Sequence, residues 1–413
     1  MFRNYLKMAW KVLGRRKFFT FVSLFGIGVT LTAILIVVAL ADHQLSASYP
    51  EEQLDRMLVL KRMKMYGEKS SWWSGPGFKL LERYTRDLPG VERMSIYTRT
   101  SETNTFLEGR KLTFQVRRTD AEYWKILQFN FVEGAPFGAE DDESARRVAV
   151  ISESARRRYF GDQAALGGTI ELGSLEFRVV GVVQDVPVYR LMGHSEIWLP
   201  LHTETAAGFF DRLMGGCQAA YLLETDADQN QVTAAFTERL TRVEFDDPKR
   251  YQNIDGLPMT RLENLANEFL SLDPGETAPR RLMVFAILAI LGFMALPAIN
   301  LVNINLSRIY ERSSEIGVRK AFGASGRDLV MQFVIENVFL SIIGGLIGLV
   351  GAFLLLWIAR YFPQIPGLTF HLNWRVFTAS LVLATVFGLL SGVWPAWKMS
   401  RQHPVVALRG GSS

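Results

Sequence analysis

The residues best placed to do chemistry in this 413-residue chain are charges that could grip a partner. Residues 308–337 read RIYERSSEIGVRKAFGASGRDLVMQFVIEN, a helix-patterned stretch carrying both signs of charge. On a helix, Glu311, Glu315 and Arg319 fall at i, i+4 and i+8, with Glu N-terminal to Arg, the better orientation for such a pair. Val318, Ala321 and Phe322 form a small apolar face, and Gly323 ends the helix. Ser325-Gly326-Arg327-Asp328 then has the spacing that starts another helix. The product is a short peg with an apolar side and a charged side, suited to a groove on a second protein. From these residues alone an ordinary membrane-surface loop fits equally well.

Nothing elsewhere supplies a catalytic constellation. His43, His194, His202, His371 and His403 show no metal-ligand spacing and no HExxH pair. There is no GxSxG elbow and no P-loop: Gly67-Glu68-Lys69-Ser70 has part of a P-loop's ending, but Arg62 stands where its first glycine belongs. The acidic run Glu140–Glu143 reads as a solvated loop, and the lone Cys217 as an unpaired core thiol. A chain built for movement, without a nucleotide site in these residues, draws its energy from a partner.

The elements that must position the peg are apolar. Phe18–Ala41, Leu282–Ser307, Asn337–Ala359 and Val376–Trp397 contain no Asp, Glu, Lys or Arg. At about 1.5 Å per residue each is long enough to cross a hydrocarbon core of about 30 Å, and core helices of soluble proteins are usually shorter. The first run, at 24 residues, exceeds the apolar part of a cleavable signal peptide and reads as a retained span. Residues 1–17 hold six basic residues and no acidic one, and place their apolar side chains at helical spacing, which predicts an amphipathic helix on the inner membrane face. The tail, with Lys398, Arg401 and Arg409, is also basic, so the positive-inside rule puts both ends and the 308–336 loop in the cytoplasm. Residues 42–281 carry 30 basic and 37 acidic residues and lie on the other side. The chain's net charge of +5 therefore comes from its cytoplasmic edges and predicts no nucleic-acid partner.

The fold expected is a polytopic α-helical membrane protein with four transmembrane helices and a large α+β periplasmic domain inserted between helices 1 and 2. The divisions are 1–17, 18–41 (span 1), 42–281 (domain), 282–307 (span 2), 308–336 (loop), 337–359 (span 3), 360–375 (outer loop), 376–397 (span 4) and 398–413. Inside the domain the patterns predict strands at Met57–Leu60, Ile197–Leu201 and Tyr221–Glu224, and helices at Phe78–Leu88, Tyr123–Phe137 and Asp228–Val243. They also predict a strand capped by Ser152 into a short helix, and a hairpin of Ile170–Leu172 with Glu176–Val183 about Gly173-Ser174. Two lobes should divide near 190–200, with residues 262–281 returning as a helix. In the spans, Gly344 and Gly348 predict close helix packing, and Asn300 and Asn303 share a face turned from lipid.

Several stretches resemble one family. Asn300-Leu301-Val302-Asn303 and Glu311-Arg312-Ser313-Ser314-Glu315-Ile316-Gly317-Val318-Arg319-Lys320-Ala321-Phe322-Gly323-Ala324-Ser325 resemble the coupling-helix signature of MacB/FtsX-type ABC transporter permeases. The tail Pro395–Arg409 is similar to that family's closing motif, although Met399, His403 and Val406 depart from its small and acidic residues. Arg147–Glu153, Tyr159–Asp162 and Phe177–Val183 resemble the core of the MacB-type periplasmic domain. The resemblance implies a half-permease whose periplasmic domain has porter and sabre lobes. Two subunits, as a homodimer or related heterodimer, would sit on two copies of a separate ABC ATPase that holds ATP and Mg, with no cofactor on this chain. By mechanotransmission the machine would export a peptide, antibiotic or lipid-linked cargo through a periplasmic adaptor and a TolC-like outer-membrane duct; the alternative is an FtsX-like regulator of periplasmic cell-wall hydrolases. Residues expected at the ATPase contact are Glu311, Arg312, Glu315, Ile316, Arg319, Lys320 and Phe322, the charges for rim pairing and Ile316 and Phe322 for seating in the groove.

Overall fold

Long apolar runs and short alternating ones fold separately here. The computed structural model describes residues 17–107, 109–225, 227–273, 276–311, 326–359 and isolated positions between 374 and 389. The chain forms two compact units, one holding residues 44–283 and the other the described helices on either side of that insertion.

The helical unit contains α1 (Lys17–Leu45), and the long helices Pro279–Glu311 and Gly326–Ala359. Among the described residues, Thr20–Asp42 and Val334–Ala359 are long and apolar enough to cross a membrane. Large apolar side chains such as Phe18, Phe21, Phe25, Phe285, Leu288, Phe353 and Leu354 are exposed on these helices. So much bare apolar surface is stable in lipid and unfavourable in water. The expected second span lies inside the continuous helix Pro279–Glu311; of the expected fourth, Phe377–Ala379, Leu381, Val382, Thr385, Val386 and Leu389 are described, all helical. The amphipathic helix expected at the N-terminus lies outside the described residues.

The inserted unit is α+β. Its strands are β1 (Met57–Leu60), β2 (Met63–Tyr66), β3 (Ser71–Pro76), β4 (Val91–Thr98), β5 (Ser101–Leu107), β6 (Arg110–Thr119) and β7 (Phe131–Gly134). Then follow β8 (Val148–Ser152), β9 (Thr169–Leu172), β10 (Leu175–Val183), β11 (Ile197–Pro200), β12 (Met214–Gly215), β13 (Cys217–Leu223) and β14 (Asn253–Asp255). One sheet runs β1-β13-β4-β6-β11-β8-β10-β7, with β5 added on β6 and β9 on β10; a second runs β12-β3-β2-β14. Most pairs are antiparallel, but β11 with β6 and β10 with β8 are parallel. Its helices of eight or more residues are α2 (Glu153–Phe160), α3 (Gln229–Leu240) and α4 (Arg261–Leu270), beside short helical turns at Phe78–Leu80, Leu81–Thr85, Tyr123–Ile126 and Ala139–Glu143; the long helices become α5 (Pro279–Glu311) and α6 (Gly326–Ala359).

Local chemistry explains several of these limits. Ser152 Oγ accepts from Ala155 N at 3.1 Å, which starts α2 at the expected cap. Gly173, at φ +64°, turns the β9–β10 hairpin with Leu172 opposite Leu175. Thr260 and Glu263 form a reciprocal capping box that starts α4.

Three expectations need correction. Tyr123–Phe137 is no helix beyond Ile126: its apolar residues instead feed an aromatic cluster of Trp124, Phe129, Phe131 and Trp198, and Phe131–Gly134 pairs with β10. The returning stretch 262–281 is interrupted where Ser271 adopts a left-handed conformation at φ +50°. The two-lobe division near 190–200 is overridden by the long sheet, in which β13 reaches back to β1 and β4. One core draws on residues 58–96 and 201–254, and the others chiefly on the stretch between, so core packing follows topology, not chain order.

Candidate functional site

The polar segment expected to meet a partner lies between two long helices. α5 ends at Glu311 and α6 begins at Gly326. Arg312, Glu315, Ile316, Arg319, Lys320 and Phe322 lie outside the described residues, as does the Glu311 side chain; the same holds for the side chains of Asn300 and Asn303.

Behind that frame, α6 packs on α1 through small residues. A Cβ on Gly344 would stand 2.6 Å from Ile27 Cγ2, and one on Gly348 would stand 2.8 Å from Leu31 Cβ and 2.9 Å from the Gly28 carbonyl. Thr32 Oγ1 donates to the Gly348 carbonyl at 3.0 Å, a polar bond that only such a close approach permits. Leu35, Ala352 and Phe377 continue this seam, while Ile27, Leu31 and Ile34 meet Met294 of α5. The close packing expected of the Gly344/Gly348 pair is thus present, and its partner is α1. About three turns into α6, Glu336 and Asn337 are both buried.

In the inserted unit the densest polar chemistry surrounds residues 187–194, a loop without regular structure. Buried backbone must find partners, and here charged side chains from elsewhere supply them. Glu51, fully buried, accepts from the backbone N–H of Met192 at 3.1 Å and of Gly193 at 3.2 Å. Arg117 donates to the Leu191 carbonyl at 2.9 Å and also to that of Met192, which Tyr123 Oη meets at 2.6 Å. From the loop, the fully buried Arg190 donates to the Ser46 carbonyl at 2.8 Å and to Ser48 Oγ, and pairs with Glu51 at 3.5 Å. Arg261, the first residue of α4, donates to the Tyr189 carbonyl at 3.1 Å. His194 Nδ1 lies 2.8 Å from the Val186 carbonyl, and burial pushes its pKa down. Gly193 approaches Pro50 so closely that a Cβ would stand 2.4 Å from Pro50 Cγ.

α4 is itself tied to the sheet. Asn264 Nδ2 donates to the Val59 carbonyl of β1 at 3.2 Å, and Lys61 pairs with Glu268 at 3.1 Å although burial lowers its pKa. Asn267 Nδ2 closes the chain after α4 by donating to the Glu276 carbonyl at 3.1 Å. Sequence reasoning missed this whole network. Glu51, Arg117 and Arg190 lie far apart in the chain, and only Arg190, within Val188-Tyr189-Arg190-Leu191-Met192, stands among largely apolar neighbours.

Two clefts remain. One, of about 410 Å³, is lined by Phe78, Glu82, Arg86, Asp120, Asp142 and His202, among others. Burial pushes the Asp120 carboxyl up to about 6, against bonds from Ile96 N, Ser95 Oγ and Tyr123 N that favour its charged form. The acidic run is a short helix, Ala139–Glu143, with Glu140 and Glu143 exposed as expected; its Asp142 is buried and accepts from His202 N at 2.9 Å with the His202 ring 3.2 Å away. The other cleft, of about 600 Å³, is lined by residues of α3, the 252–257 stretch, Asp273 and Glu276. Neither brings a nucleophile to a base. The lone thiol of Cys217 is buried and its pKa is pushed up to about 12, so it is inert.

Residues 20–239 match the MacB-like periplasmic core domain, and residues 287–404 match the FtsX-like permease C-terminal domain. The chain belongs to the MacB/FtsX-type ABC transporter permease family. Among its relatives, the macrolide export ATP-binding/permease protein MacB of Salmonella typhimurium is 23% identical over 421 residues, covering 98% of this chain and 60% of that protein. The pyoverdine export ATP-binding/permease protein PvdT of Pseudomonas syringae pv. tomato is 27% identical over 421 residues, covering 98% and 59%. The chain thus spans about 60% of the length of these MacB and PvdT relatives. The periplasmic region of MacB from Actinobacillus actinomycetemcomitans aligns over 52% of this chain and 94% of its own, with a TM-score of 0.37 and 15% identity. As a MacB/FtsX-type permease, the chain has an α+β MacB-like periplasmic domain and a membrane-embedded helical part.

Proposed function

We propose that this chain is the transmembrane subunit of an ABC exporter and that it relays ATP-driven motion of an ATP-binding partner to its periplasmic domain. The observation that carries the reading is the pairing of the two family matches on one chain, the second of which contains the polar 312–325 segment. In this reading four spans, near 18–41, 282–307, 337–359 and 376–397, hold both ends of this sequence in the cytoplasm. ATP and Mg sit on two copies of a separate ATPase chain. Glu311, Arg312, Glu315, Arg319 and Lys320 pair at the rim of its groove, while Ile316 and Phe322 seat in it. Two permease subunits form the dimer, and a periplasmic adaptor with an outer-membrane duct carries the cargo onward. The export names of the MacB and PvdT relatives support a peptide, antibiotic or lipid-linked cargo taken from the periplasm.

The test is a double charge reversal, Glu315→Lys with Arg319→Glu, in the full chain. An exposed pair of this kind contributes only about 0.3–0.5 kcal/mol to a helix, so the protein should accumulate normally. Contacts at a partner's groove can be worth about 2 kcal/mol or more, so ATPase capture in mild detergent and permease-stimulated ATP hydrolysis should both collapse. Wild-type capture and stimulation by the reversed chain would show that residues 308–323 are only a surface loop.

A further inference from the structure

We infer that the 187–194 loop is a clamp that binds both connections between the periplasmic domain and the long helices, with Glu51 and Arg190 as its positioning residues. The role in coupling rests on the mechanotransmission reading above; the clamp itself rests on geometry. Residues 46–51 directly follow α1, and α4 precedes α5 by a short stretch. The entry segment bonds to this loop directly, and the exit side bonds to it through Arg261, which opens α4, the last helix before α5. Ser46, Ser48 and Glu51 take Arg190, Glu51 takes the N–H groups of Met192 and Gly193, and Arg261 takes the Tyr189 carbonyl.

The means of attachment is informative. A surface loop is usually solvated, whereas Arg190 and Glu51 are both fully excluded from water. A buried ion pair adds little stability over an apolar pair of the same shape, because desolvation offsets the attraction. What it adds is direction: the two terminal nitrogens of a planar guanidinium fix the angles at Ser46, Ser48 and Glu51 together. An apolar contact could slide under load, but this arrangement must break. On the far side of the loop, Arg117 holds the carbonyls of Leu191 and Met192 to β6, so the loop gives both connections a shared route to the large sheet, beside the direct bond of α4 to β1. Removing one bonded partner while the other stays buried should release the whole loop, not a single contact.

Hydrogen–deuterium exchange on the full chain in lipid nanodiscs reads this directly. In Glu51→Gln, which keeps the shape and removes the charge, residues 46–51, 187–194 and 261–270 should exchange together, about tenfold faster, while β8 keeps its protection. A rise confined to residues 192 and 193 overturns the clamp. Arg261→Ala opens the clamp from its other side and should raise exchange in 187–194; it decides the matter if Glu51→Gln does not accumulate, and unchanged exchange there overturns the clamp. The coupling role is read in the same nanodiscs with the co-purifying ATPase chain, with and without MgATP and vanadate. The wild type should show a nucleotide-dependent change of exchange in the periplasmic domain, and the variants should lose it while still holding the ATPase. A variant that keeps the full response overturns the coupling role. A wild type with no response overturns the mechanotransmission reading, and the coupling role with it, while the three-segment pattern still decides the clamp.

Discussion

Asp120 shows what one buried residue contributes to this domain. Its carboxyl is raised to about 6 by burial, so the folded state holds a proton that the unfolded chain releases near its ordinary value of 3.8. Its contribution to stability is therefore present below about pH 4 and is lost as pH rises to about 6, a change of about 3 kcal/mol. A carbon-13 titration of that carboxyl should have its midpoint near 6, and the melting temperature of the protein should include a component that falls between pH 4 and 6. A midpoint below 4 would mean that the bonds from Ile96, Ser95 and Tyr123 outweigh desolvation. None of this could be read from the sequence, where Asp120 is one acidic residue among many. Its neighbours are drawn from β4 and from the Tyr123 turn, so its burial is a product of sheet pairing.

Among the elements, the seam between α1 and α6 carries the clearest consequence. Gly344 and Gly348 were visible in the sequence as a pair four residues apart, but their partner helix was not. Their spacing says which face is smooth, and only the fold says that Ile27, Gly28 and Leu31 lie against it. Gly348→Leu would drive a side chain into the Gly28 carbonyl and the Leu31 Cβ. Overpacking of that kind typically costs about 1–3 kcal/mol, and here it would also remove the Thr32 bond. Thermal unfolding of the full chain in detergent should shift several degrees lower for Gly348→Leu than for Gly292→Leu, whose Cβ would face open space. Equal shifts would show that the seam is loose.

For the molecule as a whole, the four-span arrangement makes a topological prediction. Cys217 is buried with its thiol pushed up to about 12, so the natural protein should label poorly with maleimide while folded. That leaves a clean background for Tyr5→Cys and for Asn230→Cys, the latter on the exposed side of α3. In intact cells an impermeant maleimide should label residue 230 once the outer membrane is permeable, and residue 5 only after the inner membrane is broken. Labelling of both from the same side would defeat the arrangement.

The sequence by itself determined the class of this protein. Runs of more than 20 residues without a charge, basic flanks and the 308–325 pattern are properties of composition and spacing, and lipid responds to those directly. Short-range signals were equally legible: the Ser152 cap, the Gly173 hairpin and the α3 start at Asp228 each depend on neighbours within a few positions. Tertiary structure decided what depends on distant partners. The stretch after Ile126 looked helical because its aromatics are closely spaced, yet β10 and Trp198 draw it into a strand and an aromatic cluster. The acidic run at 140–143 looked solvated, as Glu140 and Glu143 are, but Asp142 is buried and bonded to His202, 60 positions away. Glu51 and Arg190 are 139 positions apart, and no local pattern marks either as the partner of the other. Their pairing follows from long-range sheet order, which is set by the sum of side-chain burial over the whole domain.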